Sequence, residues 1–209
     1  MRIHNNELAK AARAALAPLG CFQKGNSRIW LDDRGWWVGV TRFHLGSHPR
    51  HSSFETGVCW LWREPLRYSI HNGLYIDDAD SSSSVEHFNE EVRLASRAAH
   101  EVLRLRAYFR GVRAAADVVR LKVNPTLWDD YDTAISSGLV RKPDLARRRF
   151  RSIAGATTSE ALDFQVKARQ LEPLLDNARA FKQAVWQRIA KGRESLGLPT
   201  LGAAPKLDA

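Results

Sequence analysis

The chain is poor in cysteine: its 209 residues hold two, Cys21 and Cys59, and a single methionine. Two thiols are too few for a disulfide scaffold. One bridge between them stays open, and burial as two small apolar side chains is the plainer reading. Neither stands in a metal-ligand spacing. Long apolar runs are also missing, and none nears the roughly 20 residues that span a bilayer, so no membrane partner is expected. Glu7, Lys10 and Arg13 interrupt the alanines of residues 1 to 20, which breaks up a signal-peptide core and predicts an amphipathic helix of the fold. The expected compartment is the cytoplasm. Motifs are the third absence: there is no Gly-x-Ser-x-Gly elbow, Walker loop, Gly-x-Gly-x-x-Gly behind a strand, or His-Glu-x-x-His. No cofactor is expected, and the reading leans away from an enzyme.

Tryptophan is abundant. Five of the seven, Trp30, Trp36, Trp37, Trp60 and Trp62, fall between Arg28 and Trp62. Each buries a large area and wants a partner for its indole N–H, so the block marks either a thick core or a recognition face. The surrounding pattern is that of strands. Arg28-Ile29-Trp30-Leu31, the turn residues Asp32-Asp33-Arg34-Gly35 and then Trp36 to Phe43 predict a hairpin. Phe54 to Trp62 alternates in the same way, with Phe54, Thr56, Val58, Trp60 and Trp62 on one face. Gly39 and Gly57 sit mid-strand, which marks either bulges or a helix packed closely over that face, and close packing of the first or the long helix is the favoured reading. Leu66 to Ile70 reads as a further strand that Asn72-Gly73 turns toward Leu74-Tyr75-Ile76. Short connections make the sheet antiparallel.

Helical spacing governs the rest. Leu8, Ala12, Ala15 and Leu19 predict a helix over about 6–17, ended by Pro18 and Gly20. After the polar stretch 77–84, Ser83 and Glu86 form a capping box for a long helix. Its apolar stripe is Val85, Phe88, Val92, Ala95, Ala99, Val102, Leu105 and Phe109. Asn124-Pro125 stops this helix and starts the next, over 126–137, with further helices over 143–154 and 157 to about 175 and with Thr157 and Glu160 as a second capping box. Phe181, Val185 and Ile189 mark the core face of the last. The expected class is α+β: an antiparallel sheet of four or five strands packed by an N-terminal helix and a long helix, followed by an all-helical C-terminal part. Residues 1–123 would form the sheet domain, 124–199 a helical extension packed on it, and 200–209 a flexible tail.

Candidate chemistry is sparse. His44, His48 and His51 lie close in sequence and are weak metal candidates, since their spacing matches no zinc pattern and Arg50 would repel a cation. Asp77, Asp78 and Asp80 lack the Gly and Glu of a calcium loop. His87 and His100 read as flanks of the long helix. The net charge of +9 favours acidic partners. Its densest run is Arg141 to Arg151, where Arg147, Arg148 and Arg151 are candidate contacts and Ala146, Phe150 and Ile153 point inward. Trp36 and Trp37 must point to opposite faces of a strand. One of them, near Arg34 and Arg42, is therefore a candidate docking anchor unless the protein itself covers it.

Leu19-Gly20-Cys21-Phe22-Gln23-Lys24-Gly25, Arg28-Ile29-Trp30, Gly35-Trp36-Trp37-Val38 and Gly57-Val58-Cys59-Trp60-Leu61-Trp62 together resemble an uncharacterised bacterial family, a domain of unknown function. That family's pattern has Leu-Gly-Phe at the end of the first helix. Cys21 lengthens it here. The resemblance covers about residues 8–62 and implies a bacterial α+β protein with no established activity. Ala134, Gly138, Ala146 and Phe150 resemble one tetratricopeptide-type helix pair, well short of the three or so units a solenoid needs. The expected function is that of a non-enzymatic bacterial interaction protein, such as an immunity or accessory factor, with a protein partner. The alternatives are a basic nucleic-acid-associated protein and an enzyme without a recognisable motif.

Overall fold

The computed structural model describes residues 2–45, 52–64, 67–77, 90–121, 125–158 and 161–202. The class is α+β. Two compact units divide the chain: Met1–Arg106 with Gly192–Pro199, the sheet unit, and Ala107–Lys191 with Thr200–Ala209, the helical unit. Among the described residues no helix is long and apolar enough to cross a membrane.

In the sheet unit, helix α1 (Arg2–Leu16) runs into a 3-10 turn whose cap, Gly20, is left-handed at φ 78° and donates its N–H to the Ala17 carbonyl. Five strands follow: β1 (Phe22–Gln23), β2 (Ile29–Asp33), β3 (Trp37–His44), β4 (Ser53–Trp60) and β5 (Asn72–Asp77). They lie side by side in chain order, every pair antiparallel. The two-residue β1 is too short to show an alternation, so pattern alone misses it. The strand expected over 66–70 does not form among the described residues there, and Asn72-Gly73 opens β5 instead of turning. The ladder overrides the local turn preference: Asn72 pairs with Val58 and Gly73 with Gly57. The last strand of the Trp block also stops early, because Leu61–Arg63 form a 3-10 turn and Glu64 is left-handed.

Register fixes the faces. Trp30, Thr41, Phe43, Phe54 and Thr56 share one side. There Trp30, Phe43 and Phe54 pack with Leu8, Ala12 and Leu16 of α1 and with Leu94, Ala98 and Val102 of helix α2 (Glu90–Tyr108). The expected sandwich of sheet and helix is thus present. The glycine expectation is corrected. A Cβ on Gly39 would meet Asp32 Cβ at 3.0 Å and the Trp37 ring, so its closest neighbours are strands. Gly57 faces the other side, opposite Gly73, where a Cβ on Gly73 would meet the Thr56 carbonyl oxygen at 2.5 Å. The α2 stripe also differs. Leu94, Ala95, Ala98, Val102 and Leu105 are buried, whereas Val92 is exposed. Val85, Phe88 and the Ser83–Glu86 box lie outside the described residues.

The helical unit begins where α2 breaks. Gly111 caps a separate helix α3 (Val112–Arg120), which the fading sequence pattern had not resolved. Next come α4 (Leu127–Leu139), α5 (Pro143–Ala154), α6 (Ala161–Leu171) and α7 (Ala178–Ser195), whose last turn belongs to the sheet unit. The cap of α4 is Thr126, in a box with Asp129, and not Asn124, which lies outside the described residues. Asn177 caps α7 by accepting the Ala180 N–H at 3.0 Å. The core joins Tyr131, Ile135, Phe150, Ile153, Phe164, Phe181, Val185 and Ile189, all buried. Tyr131 meets Phe150 and Phe164 edge to face. Glu160 and residues 203–209 lie outside the described residues.

Candidate functional site

The densest polar chemistry sits at the β2–β3 hairpin. Asp32 and Asp33 are consecutive, so the pleat sends them to opposite faces. Asp32 accepts from Arg106 Nε at 2.8 Å and Nη2 at 2.9 Å, and Nη2 also donates to the Leu19 carbonyl. Asp33 accepts both Nη groups of Arg193 at 2.7 Å. Arg193 is 2% exposed and also donates to the carbonyls of Gly35 and Pro199. Gly35, at φ 84°, makes this turn and gives its N–H to Asp33 Oδ1. Burial works to raise the Asp33 carboxyl, but Arg193, the Gly35 N–H and Arg34 outweigh it and hold it below its ordinary value. Arg106 is raised by its bond to Asp32. Forked pairs of this kind position backbone segments. With Arg193 donating from Nε and both Nη groups and both Asp33 oxygens accepting, that pair is a clasp, and Arg106 with Asp32 is a second.

The other titratable groups are quiet. Cys21 and Cys59 are free and buried, and burial pushes both thiols up to about 11. They stay protonated at neutral pH and are poor nucleophiles. His71, which the sequence pattern did not single out, accepts the Trp60 backbone N–H on Nδ1 at 2.8 Å. Burial, with the Arg63 charge second, pushes it down to about 3. It serves as a neutral acceptor inside the sheet unit.

His44 stands 3.5 Å from Glu55 Oε1, beside Arg42, which binds the same carboxylate and the Tyr68 carbonyl. His48, His51, His87, Asp78 and Asp80 lie outside the described residues, and only the backbone of Asp77 is described. Among the described residues no three His, Cys, Asp or Glu side chains are placed to share a metal ion. Trp36 and Trp37 are 5% and 1% exposed, which corrects their candidacy as docking anchors. Trp36 stacks on Trp60 and Trp62 at 5.5 and 5.4 Å and meets Trp37 edge on. The indoles are core.

The arginine run divides: Arg147 and Arg149 are half-buried, whereas Arg141, Lys142, Arg148 and Arg151 are exposed. Arg147 binds Asp176, Arg151 lies 3.7 Å from Glu172, and Arg149 reaches Asp130 at 2.8 Å. Ser152 donates to the other Asp130 oxygen. Arg148 is exposed. Asp129, Asp130 and Asp132 are all buried. Three acids within four residues of a helix otherwise rich in apolar side chains (Leu127, Trp128, Tyr131, Ala134 and Ile135) were the signal for this cluster, and pattern reading passed over it. Charge divides unevenly. Residues 107–191 hold sixteen Lys and Arg against nine Asp and Glu, while residues 1–106 with 192–199 hold fifteen against thirteen. Helix faces also leave apolar side chains in solvent: Val92, Leu103 and Tyr108 on α2, Leu162 and Val166 on α6, and Leu121.

A scan against protein-family models and searches of curated proteins and of solved structures returned no match.

Proposed function

We propose that the chain acts by binding an acidic protein partner and not by catalysis. The supporting observation is that Val92 and Leu103 on α2, and Leu162 and Val166 on α6, are apolar side chains the fold leaves in solvent. Arg93, Arg97, Arg104 and Arg169 stand beside them in sequence. Apolar contact area next to arginine is the composition of binding surfaces, and a protein of net charge +9 selects acidic faces. An immunity or accessory factor is the finer form of this reading, and the sequence resemblance supports only its bacterial setting. Affinity capture from the native host tests it. The double variants Val92→Glu/Leu103→Glu and Leu162→Glu/Val166→Glu are compared with the unmodified chain, and retention of every partner by both counts against the reading.

A second reading, binding to nucleic acid, is favoured by the surplus of seven positive charges on the helical unit. It predicts affinity for duplex or single strands that falls steeply with salt. No binding at low salt would remove it.

A further inference from the structure

We infer that the outer face of α5, with the turn before it, binds the phosphate backbone of duplex nucleic acid without reading its bases; this rests on the nucleic-acid reading above and names its surface. The sequence sets six cations in residues 141–151 against one acid, Asp144. Ala146, Phe150 and Ile153 are buried, so helical phase sends Arg148 and Arg151 to the opposite side. Acids of neighbouring segments take up the flanks: Asp176 binds Arg147 and Asp130 binds Arg149. The side chains of Arg141, Lys142 and Arg148 are exposed and make no ion pair or hydrogen bond among the described residues. Arg151 is 72% exposed and only nears Glu172, at 3.7 Å. Asp144 lies 3.6 Å from Arg147 on the edge of the same face. Three cations are left over, side by side.

Two observations choose the occupant. None of the large apolar side chains that the described residues leave exposed falls within residues 139–158. A protein partner draws on apolar and aromatic anchors, whereas a phosphate backbone needs charge alone. The same lack of an exposed ring removes the stacking platform on which single strands rely, and leaves the duplex. The second observation is length. From Lys142 to Arg151 the row runs about 13 Å along the helix axis. That is too long for one phosphate and long enough for several along a duplex strand. Contacts to phosphate fix position and carry no sequence information.

The test uses the full chain and a fluorescein-labelled duplex, read by anisotropy between about 50 and 200 mM salt. The logarithm of affinity should fall against that of salt with a slope of about −3, the value for three neutralised phosphates. Two duplexes of unrelated sequence should bind alike. Arg148→Ala should weaken binding roughly fivefold and bring the slope to about −2. Arg141→Glu with Lys142→Glu should abolish it. These positions are exposed, so unchanged circular dichroism separates a lost contact from a lost fold. Arg110→Glu with Arg113→Glu, an equal change of charge at exposed positions of the same unit, should weaken binding far less. A slope near zero, a marked base preference, or unchanged binding by the Arg148 and Arg141/Lys142 variants overturns the inference. Tighter binding of polyglutamate or of phosphatidylserine vesicles than of the duplex overturns it too, by making an acidic protein or a membrane the occupant. If duplex affinity survives the α5 variants and is lost with Arg110→Glu/Arg113→Glu, the α5 surface fails and the nucleic-acid reading stands. Failure of the unmodified chain to bind duplex or single strands at low salt ends both.

Discussion

The two units are stitched over very different distances along the chain. In the sheet unit the clasps join Arg106 to Asp32 and Arg193 to Asp33, residues 74 and 160 positions apart. In the helical unit, Arg149 and Asp130 are 19 apart and Arg147 and Asp176 are 29 apart. The cores differ in the same sense. Indoles from β3, β4 and the turns beside them pile up in the first, while consecutive helices supply the second. A helical unit built from near neighbours assembles from local contacts, whereas the sheet unit needs a segment from the far end of the chain.

Removing that segment is the hardest way to break the comparison. Arg193→Ala leaves Asp33 in its half-buried site without its fork, and should cost the sheet unit about 3 kcal/mol, a large part of a domain's stability. Tryptophan fluorescence, dominated by the sheet unit, should melt earlier, while the helical signal at far-ultraviolet wavelengths holds. Equal shifts in both signals would show that the clasp does not belong to one unit. Gly138→Ala probes the other side. Its Cβ would meet the buried Phe181 ring at 2.5 Å and Leu175 at 3.0 Å, an overpacking cost of about 2 kcal/mol. The order of effects should reverse, with the helical signal falling first.

Acid separates the units further. His71 is held down to about 3, so between that value and its ordinary 6.5 the unfolded chain binds a proton that the folded chain refuses. Stability is full above about pH 6.5 and drains as pH falls, by about 2 kcal/mol at pH 5. Asp33, lowered from 3.8, adds a loss that begins only near that value and deepens below it. A fluorescence melting temperature that stays flat from pH 7 to 5 would contradict the buried His71. The smallest effect is expected at Arg148→Ala, within about 0.5 kcal/mol of no change because the side chain is exposed. Arg149→Ala next to it should cost more by stripping Asp130, and equal melting temperatures for the two would erase the distinction drawn between them.

Local pattern carried much of the architecture. Phe150 and Ile153, Phe181 with Val185 and Ile189, and the hairpin around Gly35 announce themselves through periodicity and turn chemistry. What pattern missed depends on distant partners. Nothing near Arg193 signals a fork onto Asp33, and nothing near His71 marks it as the acceptor of the Trp60 backbone N–H. Asn72-Gly73 looks like a turn until Val58 and Gly57 claim it for a ladder. Val92 was read as core because its three- and seven-residue steps to Ala95 and Ala99 fit the stripe, and only burial tells it apart. The candidate site suffered most, since tryptophan marks core and interface alike.

The Arg193 fork has a consequence for biosynthesis. A ribosome delivers Asp33 long before Arg193, and the carboxylate waits without its fork while 160 further residues are added. Throughout that interval the sheet unit lacks its clasp and is an incompletely packed intermediate of the kind that invites aggregation or a chaperone's grip. Synthesis must pass residue 193 before this half of the molecule can lock.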